Sequence, residues 1–198
     1  MTSHTEIVEA CIRQDRAAQK QFYELFSGKL FAVAMRYMKN RDNAQDVLQD
    51  SFVKIYKNLQ NFRFDCPLEA WLKRIVINTA LKALQKQPDW QIGMDDNLQI
   101  ETTITHSNFG FENLKYDALL AMIGELPEGC RMIFNLFAIE GYKHNEISDM
   151  LGITEGTSKS QYSRARQLLM EKLLKEKRKE DRSMEDLNLE ENRKDILL

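Results

Sequence analysis

GYKHNEISDMLGITEGTSKSQYSRAR, from Gly141 to Arg166, reads as a helix, a glycine turn and a second helix. Ile147 and Leu151 give the first helix an apolar i, i+4 pair, Gly152 permits a sharp turn, and Thr154 is placed to cap the helix that follows. Wound at about 100° per residue, the second helix separates into two faces. Ser158, Tyr162, Ala165 and Leu169 fall together and are expected to pack inward, whereas Gly156, Ser160, Ser163, Arg164 and Gln167 fall opposite. The outward set is small or hydrogen-bonding, and Lys159 and Arg166 flank it where phosphates would lie. Any surface helix shows a polar outer face, but a glycine turn, a cap and a basic helix in that order predict a helix-turn-helix with its second helix in a DNA major groove. Ser158 stands where an apolar core residue is expected, and looser packing is the expected consequence.

The formal net charge of −2 over 198 residues supplies no global positive field to draw the chain to nucleic acid. DNA binding therefore has to come from local patches. Cys11, Cys66 and Cys130 are odd in number, widely spaced and without a CxxC or Cys/His cluster, a reduced, cytoplasmic pattern that argues against structural zinc. No apolar run approaches the roughly 18 residues of a membrane span, so no membrane insertion is expected. Walker, GxGxxG and GxSxG motifs are absent, and His4, His106 and His144 lie in unrelated contexts. Nothing in the chain points to an enzyme or to a cofactor or metal, and His144 is expected to be a surface or packing residue.

Upstream of the quoted stretch, residues 5–87 are helical in period, with Phe22, Leu25, Phe26, Leu30, Ala34 and Met38 as an apolar stripe. Gly28 and Pro67 interrupt the block, Pro67 where a helix could begin. Residues 88–112 carry no Lys or Arg but contain Asp89, Asp95, Asp96, Glu101 and Glu112, the composition of an acidic linker. A second helical block, residues 113–177, opens with Leu114, Ala118, Leu120 and Ala121 as its inward face, pauses at Leu126 to Gly129, and resumes through Met132, Ile133, Leu136 and Phe137. Residues 178–198 mix both charge signs with little apolar period and are expected to be the fraying end of the last helix and a disordered tail. The fold class expected is all-α, with two small helical domains joined by an acidic linker.

Two further stretches, with the quoted one extended upstream, complete a pattern. NRDNAQDVLQDSFVKIYKNL (residues 40–59) and NFRFDCPLEAWLKRIVINTALKAL (residues 61–84) resemble region 2 of bacterial extracytoplasmic-function sigma factors. The block from Leu126 to Arg166 resembles their region 4. The resemblance covers nearly the whole chain except linker and tail, and GTSKSQ replaces the more usual GTVKSR, so Ser158 and Gln161 are departures. It implies a subunit that lends RNA polymerase promoter specificity and assists duplex opening, with core RNA polymerase and promoter DNA as partners. Whether an anti-sigma factor holds it inactive is left open by the sequence.

On the helix from Asp42 to Leu59, Ala44, Leu48, Ile55 and Leu59 form an inward stripe, and Asp46, Gln49, Asp50 and Val53 point away from it. An acidic face holding an apolar residue is more than solvation requires, and the resemblance assigns Asp46, Gln49, Asp50, Phe52 and Val53 to the basic clamp helices of the polymerase. The helix from Leu68 to Lys86 directs Leu72, Val76, Ala80 and Ala83 inward and Trp71, Arg74, Asn78, Lys82 and Gln85 outward. An aromatic among cations and an amide suits unstacked single-stranded bases, and Phe62, Arg63 and Phe64 continue that chemistry. Trp71 packed on Phe62 or Phe64 as plain core is the competing expectation. By resemblance, Phe62, Arg63, Phe64, Trp71, Arg74, Asn78 and Lys82 recognise the −10 element, and Thr157, Lys159, Ser160, Ser163, Arg164, Arg166 and Gln167 the −35 element. The linker's charge suits a positively charged channel. A one-component repressor binding operator DNA alone is the main alternative, but no heptad or dimer helix supports it. A helical adaptor that binds only protein would leave Lys159, Arg164 and Arg166 unexplained.

Overall fold

The computed structural model describes residues 4–38, 40–87, 90 and 116–195. Eight α-helices make up nearly all of this: α1 (His4–Ile12), α2 (Arg16–Tyr37), α3 (Arg41–Asn58), α4 (Leu68–Gln85), α5 (Tyr116–Gly124), α6 (Glu128–Phe134), α7 (His144–Leu151) and α8 (Glu155–Asp195). There is no strand among the described residues. They fall into two compact units, one of residues up to 90 with Asp149–Gly152, the other of the remainder.

In the first unit α2, α3 and α4 pack against one another and α1 closes on α2. Each helix start has a local cause. The Asp15 carboxylate accepts from the Ala17 and Ala18 amides at 2.8 and 3.2 Å, and the Asn40 side chain accepts from the Asn43 amide at 2.8 Å, satisfying donors that a helix leaves unpaired. Pro67 enters α4 at φ −56°, already near helical geometry. The core is filled by Phe22, Phe26, Leu30 and Ala34 from α2, Ala44, Leu48 and Ile55 from α3, and Leu72, Val76, Ile77 and Leu84 from α4. Each large side chain among them contributes about 1.5–3 kcal/mol by leaving water. Leu25 departs from its expected place in the stripe: it is exposed, because Phe22, Phe26, Leu30 and Val33 already fill the inward arc and position 25 lies at its edge. Ala83 is only half-buried, and Ile77, Leu81 and Leu84 occupy the inner face of α4 instead. Gly28 does not interrupt α2, which continues through it. Polar ties brace the bundle: Tyr56 Oη donates to the Gln19 carbonyl at 2.8 Å, and Lys54 Nζ donates to Thr79 Oγ1 at 3.1 Å. Burial, assisted by nearby Cys11 and Tyr23, pushes the Tyr56 phenol up to about 12.

The second unit packs α6 and α5 against α8, with Ile123, Leu126, Cys130, Phe134, Ala165 and Leu169 as its buried cluster. Ala118 and Ala121, expected inward, are exposed. Leu119, Met122 and Ile123 take that role because they bury far more apolar area and continue the stripe to Leu126. Leu114 and, apart from Trp90, the expected acidic linker of residues 88–112 lie outside the described residues. A π-turn, Asn135–Ile139, extends α6 and delivers the chain to Gly141 at φ +80°. The expected fray near residue 177 does not occur, since α8 continues as one 41-residue helix to Asp195. The sequence after Gly156 has neither Gly nor Pro and is rich in Lys, Arg, Glu and Leu, so nothing breaks the helix.

Gly152 sits at φ +68°, and a Cβ there would meet nothing within 4 Å. The conformation alone therefore requires glycine. Gly152→Ala is expected to destabilise the turn by about 1–2 kcal/mol, read as faster amide exchange in α7 and α8. Unchanged exchange would show that the turn tolerates a side chain.

Candidate nucleic-acid and polymerase interfaces

The start of α8 is set by Thr154, whose Oγ1 accepts from the Thr157 amide at 3.0 Å and lies 2.9 Å from the Thr157 hydroxyl. Thr157 is thereby buried and committed to the cap, which corrects its expected place on the readable face. Ser160 and Gln167 are exposed and Ser163, Arg164 and Arg166 half-buried along one side, matching the sequence periodicity. Lys159 pairs with Glu155 at 2.7 Å, and that hydrogen bond and charge hold the Glu155 carboxyl below the usual range.

The inward side of the same helix is more polar than its position requires. Ser158 is fully buried, with Oγ 2.8 Å from Nδ1 of His144, and the His144 ring stacks on Phe137 at 4.3 Å and 15°. Tyr162 meets the same ring edge-on at 5.9 Å. His144 is thus a packing residue, and Ser158 does not leave the packing loose because its hydroxyl is satisfied. Gln161 is also buried and accepts from the Cys130 thiol at 3.0 Å. Burial, with Lys159 nearby, pushes the His144 imidazole below its ordinary value against the opposing pull of Glu155, and burial pushes the Cys130 thiol up. Periodicity could have revealed Gln161, since positions 158, 161, 165 and 169 form one inward stripe.

On α4, Arg74, Asn78 and Lys82 are exposed at spacings of four residues, with Trp71 half-buried one turn before Arg74. The loop before α4 is held by a cluster of tilted aromatic rings in which Phe62 contacts Phe64 at 4.7 Å and Trp71 at 5.2 Å. Phe62 is buried and so supports the other rings without itself facing solvent, a correction to its expected exposure. Phe64 is exposed and adopts φ +57°, and Arg63 beside it is exposed. Trp71 packs on Phe62 as the competing expectation had it, yet keeps part of its surface open. On α3, Asp46, Gln49 and Asp50 are exposed and Val53 is 52% exposed. Phe52, placed with them by sequence, is instead buried against Tyr23 at 4.6 Å and Tyr56 at 5.9 Å, because it points to the bundle side of the stripe. Among the described residues there is no cluster of His, Cys, Asp or Glu that could hold a metal ion, and no helix long and apolar enough to cross a membrane.

A basic-faced helix-turn-helix and a second bundle with an aromatic, cationic surface define a helical DNA-binding protein. Sigma-70 region 2 matches residues 22–88 and sigma-70 region 4 matches residues 116–169. The RNA polymerase sigma-H factor of Pseudomonas aeruginosa is 30% identical over 180 residues, covering 85% of this chain and 92% of that protein. The ECF RNA polymerase sigma-E factor of Haemophilus influenzae is 27% identical, covering 84% and 93%. Among solved structures, the sigma factor RpoE of Bartonella quintana, crystallised with the anti-sigma factor NepR, is 27% identical over 78% of this chain and 95% of that one, with a TM-score of 0.48. The chain belongs to the sigma-70 family, in its extracytoplasmic-function group. It is an alternative sigma factor that directs RNA polymerase to promoters, and a repressor acting alone is not favoured.

Proposed function

We propose that three surfaces divide the work of this sigma factor. The exposed face of α3, with Asp46, Gln49, Asp50 and Val53, docks on basic helices of core RNA polymerase. The acidic residues steer the encounter and fix its register, and Val53 supplies apolar contact. The loop and outer face of α4 hold the −10 strand. Phe64 and Trp71 stack on unpaired bases over the Phe62 support, Arg63, Arg74 and Lys82 neutralise phosphate, and Asn78 hydrogen-bonds a base edge. Aromatic stacking worth about 1–3 kcal/mol per base offsets the few kcal/mol needed to take a base out of the duplex. The N-terminal half of α8 reads the −35 element through Ser160, Ser163, Arg164 and Gln167, with Lys159 and Arg166 toward phosphates. In domain terms, residues 5–87 carry polymerase and −10 binding and residues 113–177 carry −35 binding. Residues 88–112 thread a basic channel, and residues 178–198 form a charged extension.

The observation that carries this proposal is the sorting of α8 into a hydrogen-bonding outer side beside cations and a buried inner side, directly after a capped glycine turn. Arg164→Ala is expected to cost about 1–3 kcal/mol at particular −35 bases, whereas Arg166→Ala weakens all sequences alike. Holoenzyme affinity for single-base −35 variants at matched salt tests both. The free protein, with net charge −2, is expected to bind the same promoters poorly, because polymerase docking makes the second DNA contact effectively intramolecular. Equal affinity and selectivity without polymerase would return the repressor as the better description.

A further inference from the structure

We propose that two polar contacts on the inner side of α8, Ser158 with His144 and Gln161 with Cys130, form a latch that fixes the rotational register of α8 and so positions its outer side chains for base reading. The inference rests on the assignment of α8 to −35 DNA. Its geometry is specific. Ser158 and Cys130 are fully buried and Gln161 nearly so, and the contacts lie at 2.8 and 3.0 Å. They leave α8 three residues apart and end on two different elements, since His144 begins α7 and Cys130 lies within α6. The His144 ring is itself held between Phe137 and Tyr162, so its nitrogen is a fixed partner.

Apolar contacts are non-directional, so they define the rotational register of a packed helix less sharply than aligned hydrogen bonds do. Hydrogen bonds weaken steeply once misaligned, so two of them on the inner side resist rotation. The outer side chains inherit that constraint. Rotating α8 by about 10° carries a side chain roughly 6 Å from its axis through about 1 Å, enough to spoil a bidentate contact with a base edge. His144 and Ser158 therefore act as positioning residues, through α8 and not by touching DNA.

The test is a double-mutant cycle in full-length protein assembled with core polymerase, using Ser158→Ala, His144→Phe, which keeps a ring on Phe137, and the two combined. The readout is the ratio of affinities for an intact promoter and one with a single −35 base changed. His144→Phe leaves the buried Ser158 hydroxyl without its partner and Ser158→Ala leaves the His144 nitrogen without its own, and each is expected to lower the ratio about tenfold, while the combined variant, which removes both groups, returns within about threefold of the unaltered protein. Should Ser158→Ala fail to fold by circular dichroism, Ser158→Cys, whose thiol is a weak donor and a weak acceptor, serves in its place. Single variants with an unchanged ratio, or a combined loss equal to the product of the single losses, would overturn the latch. An unaltered holoenzyme with a ratio of one overturns the −35 assignment itself, and the latch with it.

Discussion

Binding to core RNA polymerase is expected to weaken by about two orders of magnitude when Asp46 and Asp50 are both changed to lysine, with helix content and thermal unfolding unchanged. The two carboxylates are exposed one turn apart on α3, on the same side as the largely exposed Val53. Reversing them replaces attraction to a basic partner with repulsion at both ends of the contact. Like charges brought together at an interface cost several kcal/mol, and about 1.4 kcal/mol corresponds to each tenfold change in affinity. Asp50→Lys alone should fall between the unaltered protein and the pair. The fold should not respond, because Ala44, Leu48 and Ile55 hold α3 from its opposite side. Fluorescence titration of labelled protein with core polymerase supplies the affinity, and circular dichroism supplies the control. Unchanged affinity would remove the α3 face from the interface, and a parallel loss of helix content would make the two aspartates structural.

The second large effect concerns promoter opening. Arg74→Ala combined with Asn78→Ala is expected to slow open-complex formation on duplex promoters by about 100-fold, with a milder defect on templates already unpaired around the −10 element. Both side chains are exposed on α4 beyond Trp71 and the Phe62 and Phe64 rings, so they would meet the strand as its bases leave the duplex. On a duplex, the proposed contacts would help to offset unpairing. On a melted template that cost is already met, and only strand holding remains. Permanganate reactivity of unpaired thymines follows the opening directly. Equal defects on the two templates would mean that the pair grips the strand without contributing to melting.

Much of this architecture was legible in the sequence because helical period, caps and glycine are local signals. Ile147 and Leu151 are buried, Gly152 makes the turn and Thr154 caps α8, as their types and spacing suggest. The errors arise where the outcome depends on partners distant in the chain. Phe52 sits beside Val53 in sequence, yet Tyr23 on α2 and Tyr56 draw it into the bundle. Phe62, Phe64 and Trp71 all appear as candidate stacking rings, but only the fold decides that Phe62 lies beneath the others. Ser158 looks like a defect until His144, fourteen residues away, supplies its partner. At the C-terminus, charge density suggested disorder, whereas the absence of any breaker after Gly156 lets the helix continue to Asp195.

Under the proposed −10 contact, the backbone of Phe64 bears on the energetics of promoter opening. An aromatic residue at φ +57° occupies a region that costs an L-amino acid roughly 1–2 kcal/mol, and contact with the Phe62 ring holds it there. That cost is incurred when the chain folds, before any promoter is met. On the proposed −10 assignment, the loop would meet DNA with its shape already determined, and the free energy of stacking would go to separating base pairs instead of organising the protein that receives them.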